Sequence, residues 1–180
     1  GWIAHYTIGV MFALAFVALA VAMPSASAEP IELTVTAGNL PEERVFSTAA
    51  EVDGSIYVFG GFVSDLYGMS ENGLDSVLIY DIETGETSYG APMPTGGAIP
   101  SSTVGADGRI YVFGGYNGTY GYIASVQIYD PDTDSWTTGA NAPTSLGGGQ
   151  AITAPDGRMY LFGAGVWGLL NSTLIYDPVG

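Results

Sequence analysis

A nine-residue pattern that occurs three times constrains the fold of this chain more than any other feature. The copies read DGSIYVFGG at 53–61, DGRIYVFGG at 107–115 and DGRMYLFGA at 156–164. Each begins with an Asp-Gly pair typical of a tight turn, in which the glycine adopts the positive φ that other residues resist. The residues that follow are apolar on both sides of the pleat, as in a strand covered on both faces. The pattern therefore predicts three equivalent, buried β-strands.

A second pattern follows each copy and sets the length of the repeat. It reads DSVLIYD at 75–81, ASVQIYD at 124–130 and NSTLIYD at 171–177. Successive copies of either pattern are separated by about 50 residues. A repeat of that length, with Gly-Gly after one strand and Tyr-Asp at the end of the next, resembles the kelch repeat. The resemblance covers roughly residues 31–180.

The resemblance implies an all-β fold, a kelch-type β-propeller with about three four-stranded antiparallel blades present out of six or seven. Residues 42–94 would form blade one, 95–143 blade two, and 144–180 an incomplete blade three. In blade one, strands are predicted at 45–51, 55–59, 76–80 and 87–90. Trp136 occupies the place of the kelch tryptophan, and Tyr89 substitutes for it in blade one.

The first residues predict export. Residues 8–23 are an uninterrupted run of apolar and small residues, and Ala26-Ser27-Ala28 is an A-x-A cleavage pattern. This indicates a secretory signal peptide over 1–28, incomplete at its N-terminus because no basic residue precedes the run. After its removal we expect no membrane insertion and a secreted, periplasmic or cell-surface location. A retained N-terminal anchor is the alternative.

Residues 29–41 are predicted to form an outer strand that closes the last blade of the ring. Three blades do not close a propeller, which typically has four to eight. Two arrangements are therefore open: the sequence is a fragment of a longer chain, or several chains assemble into a ring. The start without methionine and the end within blade three favour the fragment.

Composition argues against several classes of function. The formal net charge is −15, and the basic residues are Arg44, Arg109 and Arg158, with no lysine. So acidic a chain is not expected to bind nucleic acid. The single histidine is His5 and there is no cysteine, so residues 29–180 cannot supply the copper site of the kelch-containing galactose oxidase, a His-based zinc site, or a Ser-His or Cys-His nucleophile. We predict no cofactor, and the lack of histidine and cysteine in residues 29–180 argues against an enzyme.

The resemblance places the long loops at 62–75, 116–124 and 165–171 on one face, together with the segments that join blades. Aromatic, amide and carboxylate side chains on such loops are suited to gripping a sugar or a peptide. The alternative for the loop side chains is that they only pack their own loops. For Arg44, which lies at the entrance to the inner strand, the alternative is a structural role. The candidate binding residues are Arg44, Asp65, Tyr67, Glu71, Tyr116, Asn117, Tyr120, Tyr122 and Trp167.

A weak calcium candidate lies at Asp130, Asp132 and Asp134. The calcium-loop pattern requires a glycine at its sixth position and an acid at its twelfth, where this chain has Ser135 and Asn141. An Asp-rich turn between two strands is the alternative, and no metal is otherwise predicted.

The sequence thus favours an exported kelch-repeat module that binds a protein or carbohydrate through its long loops. One alternative is a propeller enzyme acting on a sugar, similar to sialic-acid mutarotases, with catalytic residues in blades outside this sequence. Another is a structural surface domain of a larger multidomain protein. One fold hosts all three kinds of function.

Overall fold

The computed structural model describes residues 40–65, 68–69, 73–165 and 173–179. Within these residues the protein has fifteen β-strands and no helix, so the described part contains no helix able to span a membrane. The predicted signal peptide and all but the last two residues of the predicted closing strand lie outside them. In chain order the strands are β1 (Thr48–Val52), β2 (Ser55–Phe59), β3 (Ser64–Asp65), β4 (Gly68–Met69), β5 (Val77–Asp81), β6 (Thr87–Gly90), β7 (Ser101–Val104), β8 (Ile110–Phe113), β9 (Tyr116–Asn117), β10 (Gly121–Tyr122), β11 (Val126–Asp130), β12 (Ser135–Thr138), β13 (Gln150–Thr153), β14 (Met159–Phe162) and β15 (Leu174–Tyr176).

The long strands form three antiparallel sheets that correspond to blades. Blade one has the order β1-β2-β5-β6, blade two β7-β8-β11-β12, and blade three β13-β14-β15. Two short hairpins, β3–β4 and β9–β10, extend the loops between the second and third strands of blades one and two. The all-β, kelch-type architecture predicted from the repeats is therefore confirmed for the described residues.

The first strand of blade one begins later than predicted. Val45 forms only an isolated bridge with Phe62, and Phe46 then adopts a φ of 59°, which interrupts the extended backbone. Regular pairing consequently starts at Thr48 instead of residue 45. The second and fourth strands of this blade match their predicted bounds.

The Asp-Gly and Gly-Gly pairs bend the chain as expected. Asp53 and Gly54 have φ values of 49° and 80°, the left-handed pair of a tight hairpin turn. Gly60 has a φ of 63°, and a Cβ at this position would collide with the carbonyl of Gly97. The strand therefore ends in glycine because the segment leading to the next blade crosses it there.

Backbone hydrogen bonds at this crossing connect each blade to the next. The Gly61 N–H donates to the Gly97 carbonyl at 3.0 Å, and the Gly115 N–H donates to the Leu146 carbonyl at 2.9 Å. A buried side chain adds to the first junction: Gln127, 2% exposed, donates from Nε2 to the Thr95 carbonyl at 3.0 Å and accepts the Thr95 N–H at 2.8 Å. The blade order is thus set by specific polar contacts as well as by apolar packing.

The core lies between the blades. Tyr57 and Phe59 of blade one pack against Ile110, Val112 and Tyr129 of blade two. The opposite face of blade two buries Tyr111 and Phe113 in the same way against blade three. Strand β8 is at most 1% exposed at each position, as predicted for a strand covered on both faces.

The three inner strands meet through hydroxyl groups. The Thr48 and Ser102 hydroxyls are 2.8 Å apart, and those of Thr103 and Thr153 are 3.1 Å apart. The Thr153 hydroxyl also donates to the Val104 carbonyl at 2.6 Å. These contacts link strands of different sheets without backbone pairing.

Candidate functional site

One end of the three blades, here called the loop face, carries both the segments that join blades and the long loops. Isolated bridges hold these two sets together: Val45 pairs with Phe62, Ala98 with Tyr116, and Leu146 with Gly165. The opposite end, here called the turn face, carries the Asp-Gly and Tyr-Asp turns. The loop face is the one on which the sequence predicted binding.

At the loop face, the inner strands begin around a small pocket of about 270 Å³, the axial pocket. No residue that lines it is charged, although the chain has a net charge of −15. Its polar groups are hydroxyls and one amide, and its remaining residues are small. The lining residues are Ser47, Thr48, Ala49, Pro100, Ser101, Ser102, Gly149, Gln150 and Ala151.

Sequence reasoning did not single out the axial pocket. Its residues occupy the same three positions at the start of each inner strand, after the segment that joins two blades. Alignment of the three repeats would have shown that these positions are small or neutral in every copy. Serine, threonine and glutamine do not by themselves indicate a catalytic or metal site, so no other feature of the sequence points to these positions.

Two of the predicted binding residues, Asn117 and Tyr116, are used to build their own hairpin. The Asn117 amide donates to the Gly96 carbonyl at 2.8 Å, and its oxygen accepts the N–H groups of Thr119 and Tyr120 at 3.0 and 3.3 Å. The Tyr116 ring contacts the Tyr122 ring edge-on, with 5.2 Å between centroids. Asn117, Tyr116 and Tyr122 are therefore held in a defined arrangement.

Tyr120 differs from its neighbours because its side chain projects from the tip of the hairpin. It is 74% exposed. An exposed tyrosine on an ordered hairpin presents a large contact area for a partner. Its binding role stays a prediction, as do those of Tyr116, Asn117 and Tyr122.

Arg44 is buried, with a side chain only 1% exposed. Its guanidinium donates to the Ser76 hydroxyl at 2.9 Å and to the Gly60 carbonyl at 3.2 Å, and it forms an ion pair with Glu42. The Ser76 hydroxyl in turn donates to the Glu42 carboxylate at 2.7 Å. The charge thus binds together the strand ends of blade one, and direct binding of a ligand by Arg44 stays a prediction.

Four other predicted binding residues cannot be placed. Tyr67, Glu71 and Trp167 lie outside the described residues. For Asp65 only the backbone, in strand β3, is described.

The three aspartates of the calcium candidate lie in a turn in which the carboxylates of Asp130 and Asp134 accept hydrogen bonds from the protein itself. Asp130 accepts the Asp132 N–H at 3.0 Å. Asp134 accepts the Tyr129 hydroxyl and the Ala91 N–H, both at 2.6 Å. The Ala91 N–H, and next the Tyr129 hydroxyl, lower the pKa of the Asp134 carboxyl. Among the described residues no group of three acidic or histidine side chains could hold a metal ion.

The turn face carries the two remaining arginines, each bound to the aspartate of its own turn. Arg109 Nε donates to Asp107 at 2.7 Å, and the Tyr111 hydroxyl donates to the same carboxylate at 2.9 Å. Burial, and then this hydrogen bond, raise the pKa of Tyr111 to about 12, so the phenol stays neutral. Blade three repeats the arrangement with Arg158 Nε donating to Asp156 at 2.8 Å.

A wider cavity of about 730 Å³ separates these two clusters, and Asp177, Pro178 and Val179 complete its lining. Each arginine there is already neutralised by a carboxylate, and Asp177 adds a further negative charge. The loop face therefore offers the more distinctive site, since no charged side chain lines its axial pocket.

Comparison with the models of known protein families gives a match. Residues 43–94 and 100–143 match the model of the Kelch motif, and together they cover more than half of the chain. No curated protein matches the chain.

Proposed function

The chain belongs to the kelch-repeat family, and from this premise we propose that it is an exported binding module that recognises a protein or carbohydrate partner through its loop face. The observation that carries the proposal is the axial pocket, a charge-free site at the centre of the loop face of a strongly acidic chain. Neutral hydroxyl and amide groups both donate and accept hydrogen bonds. They suit a partner that presents the same neutral groups, such as a peptide backbone or the hydroxyls of a sugar.

The size of the pocket limits what can enter it. Ligand pockets for whole small molecules are usually about 300–1,000 Å³, so a pocket of about 270 Å³ suits a single side chain or one sugar ring. The remainder of the partner would then lie across the surrounding loops, where Tyr120 is exposed. A protein loop or a chain end satisfies both conditions, and we favour it over a free sugar.

Export supports the same function because the partner would lie outside the cytoplasm. The supporting observation is the signal-peptide pattern of residues 8–28. The chain is expressed in a secreting host with an initiating methionine and lysines placed before Gly1 to complete the predicted signal peptide. N-terminal sequencing of the released protein is expected to give a first residue at Glu29. Retention of the whole chain in the cell would contradict the export part of the proposal.

The binding part is tested with the axial-pocket variant Gln150→Glu and the hairpin variant Tyr120→Ala. We expect ligands selected on the native protein from a displayed peptide library and a glycan array to bind Gln150→Glu at least tenfold more weakly, because a carboxylate would disturb a neutral site. Tyr120→Ala should weaken binding of peptides that extend onto the hairpin. The matched control is Glu83→Gln on the turn face, where the side chain is exposed. Equal binding by Gln150→Glu and native protein would place the interaction elsewhere.

A further inference from the structure

Three equivalent residues at the edge of the axial pocket share an unusual backbone conformation. Phe46, Ile99 and Gly148 have φ values of 59°, 51° and 73°, all in the left-handed region. The Ile99 N–H donates to the Phe46 carbonyl at 2.7 Å, and the Gly148 N–H donates to the Ile99 carbonyl at 2.8 Å, so the three positions are neighbours. In each repeat the next residue of the chain lines the axial pocket. We call these three positions the rim.

The fold requires a left-handed backbone at the rim, but it does not require an apolar side chain there. Gly148 adopts this conformation without the steric conflict that a Cβ introduces. Phenylalanine and the β-branched isoleucine are strained in it. In the described ranges the other non-glycine residues with a positive φ are Asp53 and Asp134, and aspartate tolerates this region. The rim therefore has two apolar side chains against the local preference of the backbone.

Burial offsets little of this strain at Phe46, which is 56% exposed. An aromatic side chain stabilises a fold chiefly by leaving water, and much of this one does not. Ile99 is partly buried, has a described blade on either side, and is strained in the same way. Strained residues that do little for stability are concentrated at sites that bind ligands. The conformation and the exposure thus both indicate that the rim contacts a partner.

We propose that Phe46 and Ile99 form an apolar contact for a peptide partner whose neighbouring neutral polar side chain enters the axial pocket. The inference rests on the proposed function and names the partner class. The peptide has an apolar side chain one or two positions away from a serine, threonine, asparagine or glutamine. Consecutive Cα atoms are about 3.8 Å apart, and each rim residue directly precedes a pocket residue, so one short peptide segment can reach both.

The chemistry of the rim favours a peptide over a sugar. The side chains of Phe46 and Ile99 have no hydrogen-bonding group, and hydroxyls placed against them would lose water without a replacement. An apolar side chain of a peptide has no such requirement. The branched Ile99 beside the ring of Phe46 also lacks the flat surface on which a sugar ring would stack.

The variant Phe46→Gly tests the contact because it removes the side chain and keeps the backbone conformation that Gly148 shows to be accessible. We expect short peptides selected on the native protein from a phage-displayed random library to bind this variant at least about tenfold more weakly. The matched control is Ile82→Ala on the turn face, where Ile82 is 52% exposed, and it should bind the same peptides as the native protein does.

The stability of Phe46→Gly separates a binding role from a structural one. Glycine relieves the strain of the folded backbone but gains freedom in the unfolded chain, and the two effects oppose each other. The urea midpoint should therefore stay within about 0.3 M of the native value, the range of an ordinary surface substitution. A larger fall would show that Phe46 holds the fold together and would overturn the proposal.

A second variant, Phe46→Leu, distinguishes a peptide from a sugar. Leucine retains an apolar side chain without a flat ring, so peptide binding should largely persist. Equal losses in Phe46→Leu and Phe46→Gly, together with binding of the native protein to a glycan array and not to peptides, would assign the rim to a sugar ring and refute the peptide class.

Comparison with the axial-pocket variant Gln150→Glu separates this inference from the proposed function. Peptides that bind Gln150→Glu more weakly but bind Phe46→Gly as well as the native protein would refute the rim contact and leave the proposed function standing. Peptides that bind both variants normally would refute the proposed function as well. Peptides selected afresh on Phe46→Gly should retain the neutral polar residue and lose the preference for an apolar residue near it; an unchanged preference would contradict the proposal.

Discussion

Replacement of Gln127 by leucine is expected to destabilise the protein, although leucine fits the same position in blade one. Leu78 is equivalent to Gln127 and is fully buried, so the site accepts an apolar side chain of similar size. In blade two, however, the substitution removes both partners of the Thr95 backbone. Each lost hydrogen bond contributes about 1 kcal/mol, and each polar group left unpaired in a buried position costs about 1–3 kcal/mol.

We expect Gln127→Leu to lower the free energy of unfolding by about 2–4 kcal/mol, because Thr95 is only partly buried and water can reach it to some extent. Equilibrium unfolding in urea measures this. With an m-value of about 2 kcal/mol/M, the midpoint should fall by about 1–2 M. A change in the free energy of unfolding below about 0.5 kcal/mol, the usual range for surface substitutions, would refute the hydrogen-bond argument.

A second variant, Gln127→Glu, gives the same site a pH dependence. Burial raises the pKa of an introduced carboxyl above its unfolded value. Its stabilising contribution is therefore complete below the unfolded pKa, where the protonated group can donate to the Thr95 carbonyl, and is lost as pH rises through the folded pKa. The measurement is the difference in urea midpoint between Gln127→Glu and the native protein. If this difference is the same at low and at neutral pH, the side chain at position 127 is solvated.

Three other substitutions test separate parts of the structure. Gly60→Ala should lower the free energy of unfolding by more than about 2 kcal/mol, because the new Cβ collides with the Gly97 carbonyl and the φ of 63° is strained for alanine. The control Gly54→Ala has open space around it and should lower the free energy of unfolding by only about 1 kcal/mol. Comparable urea midpoints for the two variants would contradict the crossing of segments at Gly60. Arg44→Met should cost about 3 kcal/mol by leaving the Glu42 carboxylate without its buried partner, whereas Arg158→Ser, which copies Ser55 of blade one, should cost much less because that ion pair is exposed. Equal losses in urea unfolding would mean that the Arg44 cluster is solvated. Because the pKa of Asp134 is lowered in the folded state, its contribution is present above the unfolded pKa and is lost as pH falls through the folded pKa. Acid titration followed by circular dichroism should therefore show a shallower loss of stability for Asp134→Asn, and an unchanged acid transition would exclude this role.

The parts of the fold that were predictable from the sequence are those encoded by neighbouring residues. The Asp-Gly turns, the apolar strands after them and the Gly-Gly ends all follow from local backbone preference and side-chain alternation. The late start of β1 was not predictable, since the positive φ of Phe46 belongs to a segment positioned by contacts between blades. A bulky aromatic residue gives no local indication of such a conformation.

The candidate site was predictable only in part, because its geometry depends on distant pairs. Aromatic and amide residues drew attention to the 116–122 hairpin, yet the Asn117 amide is bound to Gly96, 21 residues away. Arg44 was singled out by its position at the entrance to the inner strand, but its side chain is held by Ser76, 32 residues away. The axial pocket requires three inner strands side by side, and its small neutral residues carry no signal until the repeats are superimposed.

The backbone bonds at the blade junctions also determine how the protein opens. The Gly61 N–H belongs to blade one, but its acceptor belongs to the segment that begins blade two. Likewise, the Gly115 N–H belongs to blade two, and its acceptor belongs to the segment that begins blade three. Each amide therefore reports on the contact with the following blade, because its hydrogen exchanges with solvent only when that blade separates. Exchange rates at these two amides would give the free energy of detaching blades two and three individually, and so the cooperativity of the array.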